Sequence, residues 1–212
     1  MTDEAFELLV ERIAAEVTNR ISFEVEASGR HVHLRREHVD ALFGRGRSLT
    51  SSRSLSQPGE FLSQERLTLV GPRGTIENVA ILGPERERTQ VELSMTDART
   101  LGVAPPVRDS GDTCGSASLT LRSATGEVTL DEGVIIARRH VHMTPGDAER
   151  FGVSDGDSVS VRVAGERPVV FEGVLVRVSP DYRMAMHIDY DEANACGWSA
   201  GVRGWMIGRS DG

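Results

Sequence analysis

Two stretches decide how this chain is read. One is Arg30-His31-Val32-His33-Leu34, followed by Asp40-Ala41-Leu42-Phe43-Gly44. The other is Arg139-His140-Val141-His142-Met143, followed by Asp147-Ala148-Glu149-Arg150-Phe151-Gly152-Val153, and the two His pairs lie 140 − 31 = 109 residues apart. The second half of the unit recurs as Asp97-Ala98-Arg99-Thr100-Leu101-Gly102-Val103 and, more loosely, as Glu192-Ala193-Asn194-Ala195-Cys196-Gly197. Each copy reads as a short helix with an acidic residue near its start and a glycine stop. This is a duplication: two halves built from the same strand-to-short-helix unit.

The segments around these units alternate and are punctuated by turns. Leu67-Thr68-Leu69-Val70 and Thr75 to Ile81 flank Gly71-Pro72-Arg73-Gly74; Leu119-Thr120-Leu121 and Val128-Thr129-Leu130 flank Ala124-Thr125-Gly126. Val159 to Val163 and Val169-Val170-Phe171 flank Gly165 to Pro168, and Val174 to Val178 reads as one more strand. Many short strands with close Gly/Pro turns predict a mainly β protein of antiparallel sheets closed into small barrels, which leave no exposed edge. Ahead of them, residues 3–21 carry Ala5, Phe6, Leu9, Val10, Ile13, Ala14, Val17 and Ile21 at helical spacing, with Thr2 or Asp3 to cap the start. That amphipathic helix either packs on its own domain or docks on a partner.

Composition narrows the function. The 212 residues hold 24 Lys+Arg against 32 Asp+Glu, a net charge of −8, which excludes an extended nucleic-acid surface but not a local anion pocket. No apolar run approaches the ~20 residues of a membrane span, and residues 1–6 do not open a secretory signal. Two cysteines, Cys114 and Cys196, point to a reducing compartment, here the cytoplasm, and read as small or buried filler.

In a strand, residues i and i+2 share a face, so His31 pairs with His33 and His140 with His142, their Cβ atoms ~7 Å apart and able to chelate one metal. Glu92 lies five residues before Asp97, and His187 five before Glu192. They occupy equivalent places, each among apolar neighbours where an unpaired ionisable group is costly. The assignment is one metal on His31, His33 and Glu92 and a second on His140, His142 and His187. His38 has no counterpart in the repeat and reads as a surface residue. Arg86 and Arg88, just upstream of Glu92, suit a phosphate-like anion or are surface arginines paired with Glu85 and Glu87. Arg30, Arg99, Arg138 and Arg139 add basic character beside the ligand segments.

The segments Gly29 to Leu34, Leu55-Ser56-Gln57-Pro58-Gly59, Thr68 to Pro72, Ile76-Glu77-Asn78-Val79, Thr96 to Gly102, Arg139 to Pro145 and Met186 to Asp189 resemble, in order, the phosphate propanoyltransferase family, the PduL-type phosphotransacylases. The resemblance runs from about residue 22 to 197. It implies two six-stranded antiparallel β-barrels capped by short helices, with the active site between them and two zinc ions per chain. It implies a helix over 1–21, one barrel over 29–138, a discontinuous second barrel over 22–28 plus 139–207, and a tail over 208–212. The family's metal ligands fall on the six positions above and its phosphate-handling arginine on Arg86. Ser28, Arg53, Leu82 and Asn194 fall on coenzyme A contacts, whereas Ala80 stands where relatives often carry a basic residue and Asp112 to Ser116 is a substituted loop. The implied reaction is acyl-CoA + phosphate ⇌ acyl phosphate + CoA, with no protein nucleophile. The implied partners are acyl-CoA, phosphate, a second copy in a homodimer and, through residues 3–21, microcompartment shell or lumen proteins. A two-zinc hydrolase using hydroxide, and a non-catalytic barrel held by structural metal, are the competing readings of the same residues.

Overall fold

The computed structural model describes residues 5, 7, 8, 10, 12–14, 17 and 21–210. The first half runs β1 (Phe23–Ala27), β2 (His31–His33), α1 (Arg36–Phe43), β3 (Ser51–Ser54), β4 (Phe61–Val70), β5 (Thr75–Gly83), β6 (Gln90–Glu92), α2 (Met95–Leu101), β7 (Val107–Arg108) and β8 (Ala117–Arg122). The second half runs β9 (Glu127–Ala137), β10 (His140–Met143), α3 (Pro145–Phe151), β11 (Ser158–Val163), β12 (Val169–Val178), β13 (Ala185–Ile188), α4 (Tyr190–Cys196) and β14 (Arg203–Arg209).

The chain divides into two compact units. One comprises Ser28–Arg138 with Asp189–Glu192, the other Met1–Ala27, Arg139–Ile188 and Ala193–Gly212. In the first, β4, β5, β2, β6, β9 and β8 pair in turn and β8 returns to β4, closing a six-stranded barrel, with β3 and β7 added outside the ring. In the second, β1, β13, β10, β12, β11 and β14 close an equivalent barrel. Two closed six-stranded barrels are thus present: the repeat predicts two barrel-like halves, and the resemblance implies six strands in each.

Neither ring is purely antiparallel, which corrects that part of the expectation. Strand β2 runs parallel to β5 and β6 parallel to β9; likewise β10 runs parallel to β12 and β1 to β13. The physical reason lies in the helix after each ligand strand: parallel neighbours need a long crossover, and such helices lie within those connections.

The duplication also exchanges strands. β1 leads directly into β2 yet belongs to the ring of β10, while β9 leads into β10 yet belongs to the ring of β2. The registers match: Glu92 faces Ile135, and His187 faces Glu26, with 135 − 26 = 109, the spacing of the His pairs. Asn78 and Gly173 also correspond, each two residues before the partner of the first His, and both adopt left-handed backbone (φ 57° and 67°) at a bend. Gly173 explains why Val174–Val178 is not a separate strand: it continues β12 through that bend.

Helices α2, α3 and α4 share one start and one stop. Ser94 with Asp97, Thr144 with Asp147, and Asp189 with Glu192 exchange reciprocal side-chain-to-backbone bonds that satisfy the first amides. Gly102, Gly152 and Gly197 follow in left-handed conformation. Two hairpin turns cap the far ends: Arg73 N donates to Leu101 O and Arg167 N to Cys196 O, at 3.0 and 3.1 Å. The carbonyls press against Gly71 and Gly165, where a Cβ would lie 2.3 and 2.1 Å from oxygen.

Each barrel fills with aliphatic side chains. Val32, Leu69, Ile81, Val91, Leu121 and Val134 are buried in one; Val25, Val141, Val161, Val176 and Met186 in the other. Val32 and Val141 point inward, so the flanking histidines occupy the opposite face of their strands. Cys196 is buried, but Cys114 is exposed and is not filler. Of the helix expected over 3–21, residues 3, 4, 6, 9, 11, 15, 16 and 18–20 lie outside the described residues, as do the cap residues Thr2 and Asp3. The described positions between 5 and 21 are helical, and Leu8, Val10, Ile13, Val17 and Ile21 are exposed. No described helix is long and apolar enough to cross a membrane.

Candidate metal sites and anion-binding residues

Strand β2 places His31 and His33 on one face, and antiparallel pairing sets Glu92 directly opposite His31. All three are buried, and one ligand atom from each lies within 4.8 Å of the others. His31 Nδ1 lies 2.8 Å from the Gly29 carbonyl. A carbonyl only accepts, so Nδ1 carries a proton, which leaves Nε2 as the nitrogen that could face a metal. That Nε2 stands 3.5 Å from Glu92 Oε2. Tetrahedral ligands at ~2.1 Å from zinc are about 3.4 Å apart, so the pair is already near the spacing such an ion requires.

His33 Nδ1 is buried with no hydrogen-bond partner. Burial, reinforced by His31 and Arg86 and opposed by Glu92, holds the His33 imidazole well below its usual pKa, hence neutral and competent to bind metal.

In the other barrel His140 and His142 share a face of β10, and His187 lies directly opposite His140. The ring centroids are 4.7 to 5.2 Å apart, and ligand atoms again fall within 4.8 Å of one another. Both ring nitrogens of His142 are buried without a hydrogen-bond partner among the described residues. Burial, then His140, His187 and Arg177, push its pKa down to about 2. Tyr182 stacks on His142 at 4.1 Å. Glu26 Oε2 approaches His187 Nδ1 at 3.8 Å. Three ring nitrogens without hydrogen-bond partners among the described residues, in two clusters that could each hold a metal ion, fit a bound metal, because an unpaired buried donor or acceptor is otherwise costly.

Arg86 follows β5. Its backbone N–H donates to Leu34 O at 2.9 Å, and its Nη2 to Glu60 Oε1 at 2.7 Å. Its charge reaches His33. Glu85 pairs with Arg36, not with Arg86. Arg88 is exposed in a separate open cleft with Arg35 and His38. His38 is no free surface residue: its Nδ1 lies 2.7 Å from Thr89 Oγ1, and Arg35 N donates to the same oxygen at 3.0 Å. Arg30 is held by Asp97 at 2.8 Å, Arg138 lies 3.5 Å from Asp109, and Arg139 lies over Phe171.

Residues 24–199 match the family model described as phosphate propanoyltransferase. The chain is 53% identical over 207 residues to a phosphate propanoyltransferase of Listeria monocytogenes, covering 98% of this chain and 97% of that protein. It is 53% identical over 205 residues to one from Enterococcus faecalis (97% and 96% covered) and 52% over 194 residues to one from Clostridioides difficile (92% and 93%). The chain belongs to the phosphate propanoyltransferase family. It is therefore an acyltransferase.

The four positions that resemble the family's coenzyme contacts are placed unevenly. Arg53 faces Leu62 and Leu62 faces Leu82, so Arg53 and Leu82 share one cross-strand row. Ser28 is half-buried in the link between β1 and β2. Asn194 is exposed on α4 and belongs to the other unit. Ala80 faces His31 in register, so this member of the family presents only a methyl group beside that ligand. Sequence reasoning missed Gln90, Ser110, Glu60, Glu26 and Tyr182. The repeat register points to Glu26, and period-2 spacing before Glu92 points to Gln90; nothing local marks Ser110, Glu60 or Tyr182.

Proposed function

We propose that this transferase moves a short acyl group reversibly between coenzyme A and inorganic phosphate, with one zinc ion on His31, His33 and Glu92 and a second on His140, His142 and His187. The observation that carries the reading is the pair of three-ligand clusters in which His33 Nδ1 and both ring nitrogens of His142 have no hydrogen-bond partner among the described residues. Bound zinc supplies Lewis acidity and affinity for a thiolate. The chain's own residues do the rest. Gly29 fixes the His31 tautomer, so Nε2 stays available. Arg86 offers a planar fork that matches phosphate oxygens, and Glu60 steadies one edge of it. A phosphate oxygen attacks the thioester carbonyl; a C–O bond forms, the C–S bond breaks, and coenzyme A leaves as thiolate. Ser28, Arg53, Leu82 and Asn194 are assigned to the coenzyme by resemblance.

CoA release from acetyl-CoA and propionyl-CoA, measured with and without phosphate, tests this reading. Release that requires phosphate, from protein holding two zinc ions by elemental analysis, supports it. Release independent of phosphate makes the protein a hydrolase instead. The exposed apolar residues between 8 and 21 support a second assignment: residues 3–21 dock on microcompartment shell or lumen proteins.

A further inference from the structure

Glu92 is supported by two side chains, Gln90 and Ser110, that both reach the same carboxylate oxygen. Its Oε1 accepts from Gln90 Nε2 at 2.6 Å and from Ser110 Oγ at 2.7 Å. Gln90 Nε2 also lies 3.0 Å from Ser110 Oγ, and Gln90 Oε1 accepts from Gly111 N at 2.8 Å. The protons can be assigned. As a metal ligand Glu92 would be a carboxylate that only accepts; the single hydroxyl proton of Ser110 then goes to Glu92, and one Gln90 amide proton goes to each oxygen neighbour. Gln90 is 3% exposed and lies two residues before Glu92, on the same strand face.

A free carboxylate binds metal through either oxygen or both, and swings about its last torsion. Here two donors occupy Oε1, and Oε2 is the atom that faces His31 Nε2 at 3.5 Å. The duplication supplies a comparison. Gln90 faces His33 across the β2–β6 pair, and the equivalent partner of His142 is Ala185. Where the third ligand is histidine, the clamp residue is a methyl group. Where it is glutamate, an amide and a hydroxyl fill the place.

We infer that Gln90 and Ser110 are positioning residues that fix Glu92 as a one-oxygen ligand, presenting Oε2 to the metal of the His31 cluster. The inference rests on the metal reading above. Neither side chain is assigned any contact with substrate or metal. Partners of this kind typically govern metal affinity by 10- to 100-fold.

The test uses the full chain loaded with zinc, challenged with a chromogenic chelator, and in parallel loaded with cobalt(II) for visible spectra. Ser110→Ala and Gln90→Met should each release one of the two zinc ions 10- to 100-fold more readily, leave the other at its wild-type affinity and change the cobalt spectrum. Ser110→Thr, which restores the hydroxyl, should behave as wild type. If Ser110→Ala and Gln90→Met unfold at the wild-type temperature, retain both ions and keep the wild-type spectrum, the clamp is overturned. Should Gln90→Met not fold, Ser110→Ala decides the question alone. Glu92→Ala separates the two levels: if it too keeps both ions at wild-type affinity, the metal assignment itself fails and the clamp with it.

Discussion

An imidazole buried away from water is tolerated only while it stays neutral, and that gives the clusters a predictable acid response. His142 is held near a pKa of about 2 and His33 is also lowered, chiefly by burial. Unfolding returns both toward 6.5. The unfolded chain therefore binds more protons below that value, so stability is full above pH ~6.5 and lost as pH falls through it. Each such group contributes a slope of up to ~1.4 kcal/mol per pH unit. Metal-free protein should thus melt at progressively lower temperature from pH 6.5 to 5, and His142→Asn should flatten that dependence; a wild-type slope in the variant would refute it. Arg86 makes a different prediction. Lysine keeps the charge but loses the fork, so Arg86→Lys should raise KM for phosphate about 10-fold, and Arg86→Ala about 100-fold. KM for acyl-CoA should change little in steady-state kinetics. His31, His33, His140 and His142 were legible from sequence because spacing in a strand dictates side-chain direction, and Glu92 and His187 because they hold equivalent places in the repeat. Ser110 was not, because a loop residue that reaches Glu92 from 18 positions away leaves no periodic trace.

At the scale of the element, short pieces are held by their ends. A helix of seven residues has few internal hydrogen bonds, so α2 and α4 depend on a capping box at one end and a hairpin turn at the other. Gly165 allows the second contact, since any Cβ there would lie 2.1 Å from Cys196 O. Backbone cannot yield as a flexible side chain would. Gly165→Ala should therefore cost ~1–3 kcal/mol, a fall in Tm of roughly 2–12 °C by calorimetry. A control in Gly156, where a Cβ meets nothing within 4 Å, leaves the turn contact intact, although its φ of +83° carries its own backbone cost. Hairpins and caps were readable because glycine, proline and acidic residues mark them chemically. The parallel pairings were not. A three-residue strand such as β2 shows its face but not its neighbours, and only the crossover geometry sets them. The bend at Gly173 misled for a related reason: a left-handed glycine looks the same in sequence whether it ends a strand or bends one.

On the scale of the whole molecule, the exchange of β1 and β9 makes the position of a truncation decisive. β1 closes the His140 ring between β13 and β14, and it sets Glu26 opposite His187. The anchor begins one residue earlier: Ser22 is fully buried, and Arg203 donates from Nε to its Oγ at 2.7 Å and from Nη2 to its carbonyl at 3.0 Å. Upstream of it, the described apolar residues are exposed. Removal of residues 1–21 should therefore leave Tm, zinc content and acyl transfer at wild-type values and abolish association with shell or lumen proteins in a co-expression and pull-down assay. Removal of 1–27 strips the strand itself. β13 and β14 then lose their shared partner, Phe23 and Val25 leave the core, and the ring opens along two unpaired edges. Burying two such side chains contributes about 3–6 kcal/mol, a large fraction of the stability of a domain this size. That longer truncation should release the zinc assigned to His140, His142 and His187 and aggregate on expression. If instead it retained two zinc ions and a wild-type melting profile, β1 would not be an integral strand of that barrel.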